Sequence, residues 1–256
     1  MQHLPHIPTV DILGVNVAAI SLDDAVGFVE AAVTGNARSY VCVTGAHGIV
    51  ECRRDAALRG IHRDAGMVTP DGMPVVWCLR ALGAGAVTRV YGPDLMLAAS
   101  ERLLARGARH YYYGGGTGIA DRLAAVLSTR FPGLAVAGTC CPPFREQTDD
   151  EIDETCAGIN ASGADIVWVG LGTPRQEYWM ARARGRLEAP LLIGVGAAFD
   201  FHAGAKKQAP AWMRRNGLEW LFRAVSEPRR LGPRYLRVVP LFAILALRQI
   251  IAARLR

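Results

Sequence analysis

The sequence predicts an α/β fold: a Rossmann-like parallel sheet flanked by helices, with a basic helical C-terminal appendage. Three observations predict it. Apolar runs without internal polarity alternate with helix-like segments, as strands covered on both faces require. Glycine clusters follow several of those runs. Positive charge gathers at one end: Arg223 to Arg256 holds eight arginines and one acid, Glu227, a net +7, so the first 222 residues sum to −1. With 256 residues, 51% of them hydrophobic, the chain supports one substantial core, is too short for two large domains, and is too apolar for disorder.

Each element follows in order. Ser21-Leu-Asp-Asp supplies an N-cap for a helix running to Val33. Ser39 to Thr44 reads as a buried strand, followed by a helix to about Gly60. Met67 to Gly72 is a short strand ending in a turn. Pro93 sits in the first turn of a helix reaching about Arg106. Three further units come next: His110 to Tyr113 with a helix to Arg130, Leu134 to Gly138 with a helix including Asp149 to Ile159, and Asp165 to Gly172 with a helix from near Pro174. Leu191 to Gly196 closes the series. The chain then turns helical and basic, which divides it into a core over 1–208 and an appendage over 209–256.

The six cysteines form no CxxC pair and no zinc spacing, so a reducing compartment is expected. Pro5 and Pro8 interrupt the N-terminus, which lacks the basic-then-apolar pattern of a signal peptide. The apolar run Val238 to Leu247 is ten residues long and interrupted by Pro240, against about 20 needed to span a bilayer. Leu241, Phe242, Ile244, Leu245, Ile250, Ile251 and Leu255, punctuated by Arg248, Arg254 and Arg256, instead suit a helix lying in a membrane interface. The alternative is a helix packed on the domain or in an oligomer interface. A tail this basic seeks polyanions: nucleic acid, anionic lipid or a diphosphate. Aromatic residues are not interleaved with its arginines as a nucleic-acid stacking surface would want.

Four segments carry candidate chemistry. Gly114, Gly115, Gly116, Thr117 and Gly118 lie between a strand and a helix, where backbone N–H groups can approach a phosphate. Ile119 breaks the GxGxxG pattern, and no acid ends the next strand to hold a ribose, which counts against a nicotinamide oxidoreductase. Thr69-Pro-Asp-Gly places Asp71 on a turn at a strand's C-terminal end, where it can take a proton from a sugar hydroxyl; an ordinary turn is the alternative. Gly170-Leu-Gly-Thr-Pro-Arg-Gln-Glu puts Gly172 in a turn and Arg175, Gln176 and Glu177 in a helix's first turn, placed to bond phosphate or sugar hydroxyls. Glu177 fits equally as a charge at a helix start. Asp200 and His202 follow a small-residue turn, but no further ligand clusters with them, and no metal is expected.

Together these segments are more specific. Thr69-Pro-Asp-Gly-Met-Pro-Val-Val-Trp, Arg89-Val-Tyr-Gly-Pro-Asp-Leu, Tyr113-Gly-Gly-Gly-Thr-Gly, Pro142-Pro-Phe-Arg, Gly170-Leu-Gly-Thr-Pro-Arg-Gln-Glu, Gly194-Val-Gly-Ala-Ala-Phe-Asp-Phe, Gly217-Leu-Glu-Trp-Leu-Phe-Arg and Glu227-Pro-Arg-Arg occur in that order. The series resembles the WecG/TagA/CpsF glycosyltransferases (family 26) from about Asp11 to Tyr235. The resemblance implies an inverting, metal-independent transferase without a cofactor. Its donor would be a UDP-sugar and its acceptor a polyprenyl-diphosphate saccharide, on the cytoplasmic face of a bacterial membrane, with self-association left open. It further implies Asp71 as base, with Thr44, Arg89 and Gln176 in the active site. The appendage arginines, among them Arg223, Arg230 and Arg234, would help close it. One departure stands out: many members of the family it resembles carry Thr-x-Asn after the second strand, and this chain has Thr44-Gly-Ala46-His47, which lacks the amide.

Overall fold

The computed structural model describes residues 4–255. Its chain opens with an antiparallel hairpin, β1 (Thr9–Ile12) and β2 (Val15–Ala18), which the sequence reading did not anticipate. The connecting turn holds Leu13 and Gly14 at φ 55° and 89°. A leucine in the left-handed region is uncommon because its Cβ crowds the carbonyl, so the usual Asn-Gly hairpin signal is missing.

α1 (Leu22–Thr34) begins as expected: the Ser21 hydroxyl accepts the Asp24 N–H while the Asp24 carboxylate accepts the Ser21 N–H. β3 (Ser39–Thr44) follows. The single helix expected after it is two, α2 (Ala46–Arg54) and α3 (Ala56–Asp64). Asp55 divides them: its backbone is extended at φ −126°, and its carboxylate accepts the N–H groups of Ala57 and Leu58 to start the second helix. β4 (Met67–Pro70) ends in the Asp71-Gly72 turn, with Gly72 at φ 94°, and α4 (Met73–Ala81) starts directly after it. The remaining units match the expected series: α5 (Gly92–Leu104), β5 (Arg109–Gly114), α6 (Ile119–Arg130), β6 (Ala135–Cys140), α7 (Asp149–Ala161), β7 (Ile166–Gly170), α8 (Arg175–Arg184) and β8 (Leu191–Gly194).

The six strands β3 to β8 form one parallel sheet in the order β4-β3-β8-β7-β5-β6. Both faces are covered. One carries α2, α3, α7 and α8; the other carries α1, α5 and α6. Trp168, Tyr112 and Phe28 are among the largest fully buried side chains, and each large apolar side chain so buried contributes roughly 1.5–3 kcal/mol. The helix after β5 and the helix after β7 lie on opposite faces, which opens a crevice at the carboxyl ends of those neighbouring strands.

Beyond β8 come α9 (Ala198–His202), α10 (Ala211–Arg215), α11 (Glu219–Ser226) and α12 (Pro228–Arg254). α12 corrects the reading of the tail in two respects. It runs unbroken for 27 residues through Pro233 and Pro240, and by length and mean hydropathy (1.8 over 18 residues) it is long enough to cross a membrane. Pro240 is tolerated because it lies on the exposed side, where the carbonyl freed by its missing N–H can meet solvent. The apolar residues also divide between two faces. Leu231 is buried, and Val238, Phe242 and Ala246 are buried on the body against α2 and α4, whereas Leu236, Ile244, Leu247, Ile251 and Leu255 are exposed. Gln249 fastens the helix to the hairpin, accepting the Leu13 N–H at 3.0 Å and donating to the Asp11 carbonyl at 2.8 Å. Arg256 lies outside the described residues.

Candidate active site

The carboxyl edge of the sheet gathers most of the predicted residues. The Asp71 N–H donates to the carbonyls of Thr44 and Thr69, both at 3.1 Å, which fixes the turn at the end of β4 against the end of β3. The Asp71 side chain is sunk among packed atoms yet keeps 29% of its surface open. Burial raises its proton affinity; Arg89 opposes that rise, Glu219 reinforces it, and the pKa settles at about 6. Arg89 Nη2 donates to Asp71 Oδ1 at 3.3 Å and to Glu219 Oε2 at 2.5 Å. The guanidinium also lies 3.8 Å over the Tyr91 ring, and the Tyr91 hydroxyl donates to Glu219 Oε1 at 2.8 Å. Arg223 stands close enough to lower the proton affinity of Asp71.

Two predicted residues lie beneath this edge rather than open to it. Thr44 is 2% exposed, with its hydroxyl 3.0 Å from His62 Nε2. His62 Nδ1 lies 2.9 Å from the Leu58 carbonyl, which must accept. Burial lowers the pKa of His62, so the neutral ring donates there and Thr44 donates to Nε2. Gln176 is likewise 2% exposed; its Oε1 accepts the Gly172 N–H at 3.2 Å, and its amide donates to Glu177 Oε1 at 3.0 Å. Glu177 also accepts the Thr173 hydroxyl at 2.9 Å, is fully buried, and has a proton affinity raised by that burial. It is therefore neither a simple helix-start charge nor a ligand at the surface.

The glycine turns line the crevice between β5 and β7. A Cβ on Gly114 would lie 2.7 Å from the Gly170 backbone, and the Gly115 N–H donates to the Gly170 carbonyl at 3.1 Å. Only glycine permits that approach. Gly116 and Thr117 are exposed above it, ahead of α6. Arg175 stacks 4.2 Å over Phe144, an aromatic ring left 91% exposed on the loop after β6.

The appendage arginines separate. Arg223 faces Asp71, whereas Arg230 pairs with Glu227 at 2.5 Å and is bonded to none of the residues around Asp71. Arg234 lines a cleft of 410 Å³ between α2 and α12 with His47, Arg54, Thr173 and Arg237. Burial there, with Arg234 and Arg223 nearby, pushes His47 down to about 4. Ala46, where the family resemblance leads us to expect an amide, packs its methyl against the core. Asp200 pairs with Lys206 at 3.1 Å, and His202 lies 3.0 Å from the Pro93 carbonyl, so each has a structural partner.

Sequence reasoning missed Glu219 and Tyr91. The available signal was Glu219 itself, one of two acids in the basic segment 209–256, inside a quoted motif to which no role was given.

A partly buried carboxylate of raised pKa, an arginine across from it and glycine turns along one sheet edge are the features of an α/β enzyme whose ligands meet the carboxyl ends of its strands. The glycosyl transferase WecG/TagA/CpsF family model matches residues 10–256, and the chain belongs to that family. It is 27% identical over 180 residues to the Bacillus spizizenii protein N-acetylglucosaminyldiphosphoundecaprenol N-acetyl-beta-D-mannosaminyltransferase, a span covering 70% of this chain and 68% of that relative. Membership sets aside the nicotinamide-oxidoreductase alternative.

Proposed function

We propose that the protein transfers a sugar from a UDP-sugar, with inversion, to a polyprenyl-diphosphate-linked saccharide in cell-surface polymer synthesis. The relative's name supports an acceptor bearing N-acetylglucosamine on undecaprenyl diphosphate, and N-acetylmannosamine as the first donor to try. The observation that carries the reading is Asp71, a carboxylate at the sheet's carboxyl edge with its pKa raised to about 6. A base of that strength is ionised at neutral pH and takes the acceptor hydroxyl's proton as the oxygen attacks the anomeric carbon. The leaving diphosphate would meet backbone N–H groups of the Gly114–Thr117 turn and Arg223 or Arg175.

The appendage would hold the enzyme on the membrane's cytoplasmic face. α12 is fastened to the body along one side, which favours lying in the interface over crossing it, with Ile244, Leu247 and Ile251 turned toward lipid. The test is UDP release from a panel of UDP-sugars, with and without polyprenyl-diphosphate N-acetylglucosamine. Acceptor-dependent release with one donor is the expected result. Release independent of acceptor, or none with any donor in the presence of lipid, contradicts it.

A further inference from the structure

Nothing in α10 or α11 is buried. α11 packs chiefly on α10 and α12, its own neighbours in the chain. Its hydrogen bonds to the core converge on one side chain, while Arg223 lies 5.9 Å over the Phe201 ring. Glu219 accepts Arg89 at 2.5 Å through one oxygen and the Tyr91 hydroxyl at 2.8 Å through the other. Glu219 and Arg89 are 13% and 15% exposed, so water screens the pair little. Gln208, just ahead of the appendage, donates to the same Tyr91 hydroxyl at 3.3 Å. Against this, the Arg214–Asp94 pair at 3.8 Å is long and partly open.

We propose that Glu219 is a positioning residue that latches the appendage over Asp71 and, by drawing Arg89 to itself, leaves Asp71 the weaker-held of two carboxylates competing for one guanidinium. The proposal rests on the reading of Asp71 as the base. Its logic is charge balance. The charged and titratable groups facing Asp71 are Arg89 and Tyr91 from the loop before α5, and Glu219 and Arg223 from α11; the β3 side presents the Thr44 carbonyl. Without Glu219, Arg89 would serve Asp71 alone, hold its proton off and weaken it as a base. Docking of the appendage and strengthening of the base are then one event. Arg223, on the same helix, arrives with Glu219.

The experiment is the pH profile of UDP release, with UDP-N-acetylmannosamine and polyprenyl-diphosphate N-acetylglucosamine, for wild type, Glu219→Gln, Tyr91→Phe and Asp71→Asn. Trypsin cleavage at Lys207 and Arg215 is followed in parallel, with Glu219→Ala added. Glu219→Gln keeps the shape and removes the charge. It should move the acidic limb about one pH unit lower and cut kcat about tenfold, with donor KM changed less than about threefold. Glu219→Ala should speed cleavage at least about fivefold. Tyr91→Phe, which loses one bond and keeps the charge, should speed cleavage with the limb in place. An unmoved limb in Glu219→Gln, or unaltered cleavage in Glu219→Ala, overturns the proposal, since a merely structural glutamate would lower kcat without shifting the limb. Asp71→Asn separates the two readings: if it keeps turnover within a few-fold of wild type, the base assignment fails, and the latch is judged on cleavage alone.

Discussion

Asp71, the proposed base, is where stability and the proposed chemistry meet in one side chain. Its pKa rises from an ordinary 3.8 to about 6 on folding, so between those values the folded chain holds a proton that the unfolded chain has lost. The proton therefore favours folding at low pH, and that contribution is lost as pH rises through 6. Asp71→Asn should lower kcat by about 100- to 10,000-fold. It should also raise Tm by about 2–4 °C at pH 7.5 and by much less near pH 4, as thermal melts at the two pH values would show. Glu177 behaves differently. It is fully buried, bonded by Thr173 and Gln176 through one oxygen, and its Oε2 has no partner among the described residues. Glu177→Ala strands two donors and opens a cavity, a loss of about 2–4 kcal/mol. Glu177→Gln keeps one acceptor without the charge, and should stay within about 1 kcal/mol in urea denaturation.

At the scale of elements, α12 was the least legible and is the most informative. Its middle stretch, Val238 to Leu247, is apolar all round, so helical spacing alone did not say which side meets the body. Packing against α2 and α4 assigns Val238, Phe242 and Ala246 inward and leaves Ile244 and Leu247 outward. The two sides should therefore respond oppositely. Phe242→Ala should lower stability by about 3–5 kcal/mol. Ile244→Glu with Leu247→Glu should leave Tm within about 2 °C while cutting sedimentation with phosphatidylglycerol-containing vesicles at least tenfold. Because the tail's net +7 also draws it to anionic lipid, raising salt from about 0.1 to 0.5 M should weaken wild-type binding further. Equal binding to neutral vesicles would remove the electrostatic part of that account. The α2–α3 break has a simpler origin: an Asp inside a helix-like run competes for backbone N–H groups, and Asp55 won that competition.

At the scale of the molecule, alternation of strands and helices was legible because hydrophobic period and glycine turns are local properties. They dictated six strands, the helices between them and the carboxyl-end turns bearing Asp71, Gly114 and Gly172. The ordered motifs likewise carried the family, since they record local chemistry at each turn. What the sequence could not state was adjacency. That Arg89 lies between Asp71 and Glu219, and that Thr44 and Gln176 lie beneath the surface, depends on strand order and on how the appendage returns to the core. Those contacts join residues far apart in the chain, and their partners are chosen by packing and desolvation. By itself the sequence determined the strands, the turns and the chemistry each turn can offer. Only the tertiary structure decided which charges share a site, because burial and distance set the strength of a charge and neither is written in local order.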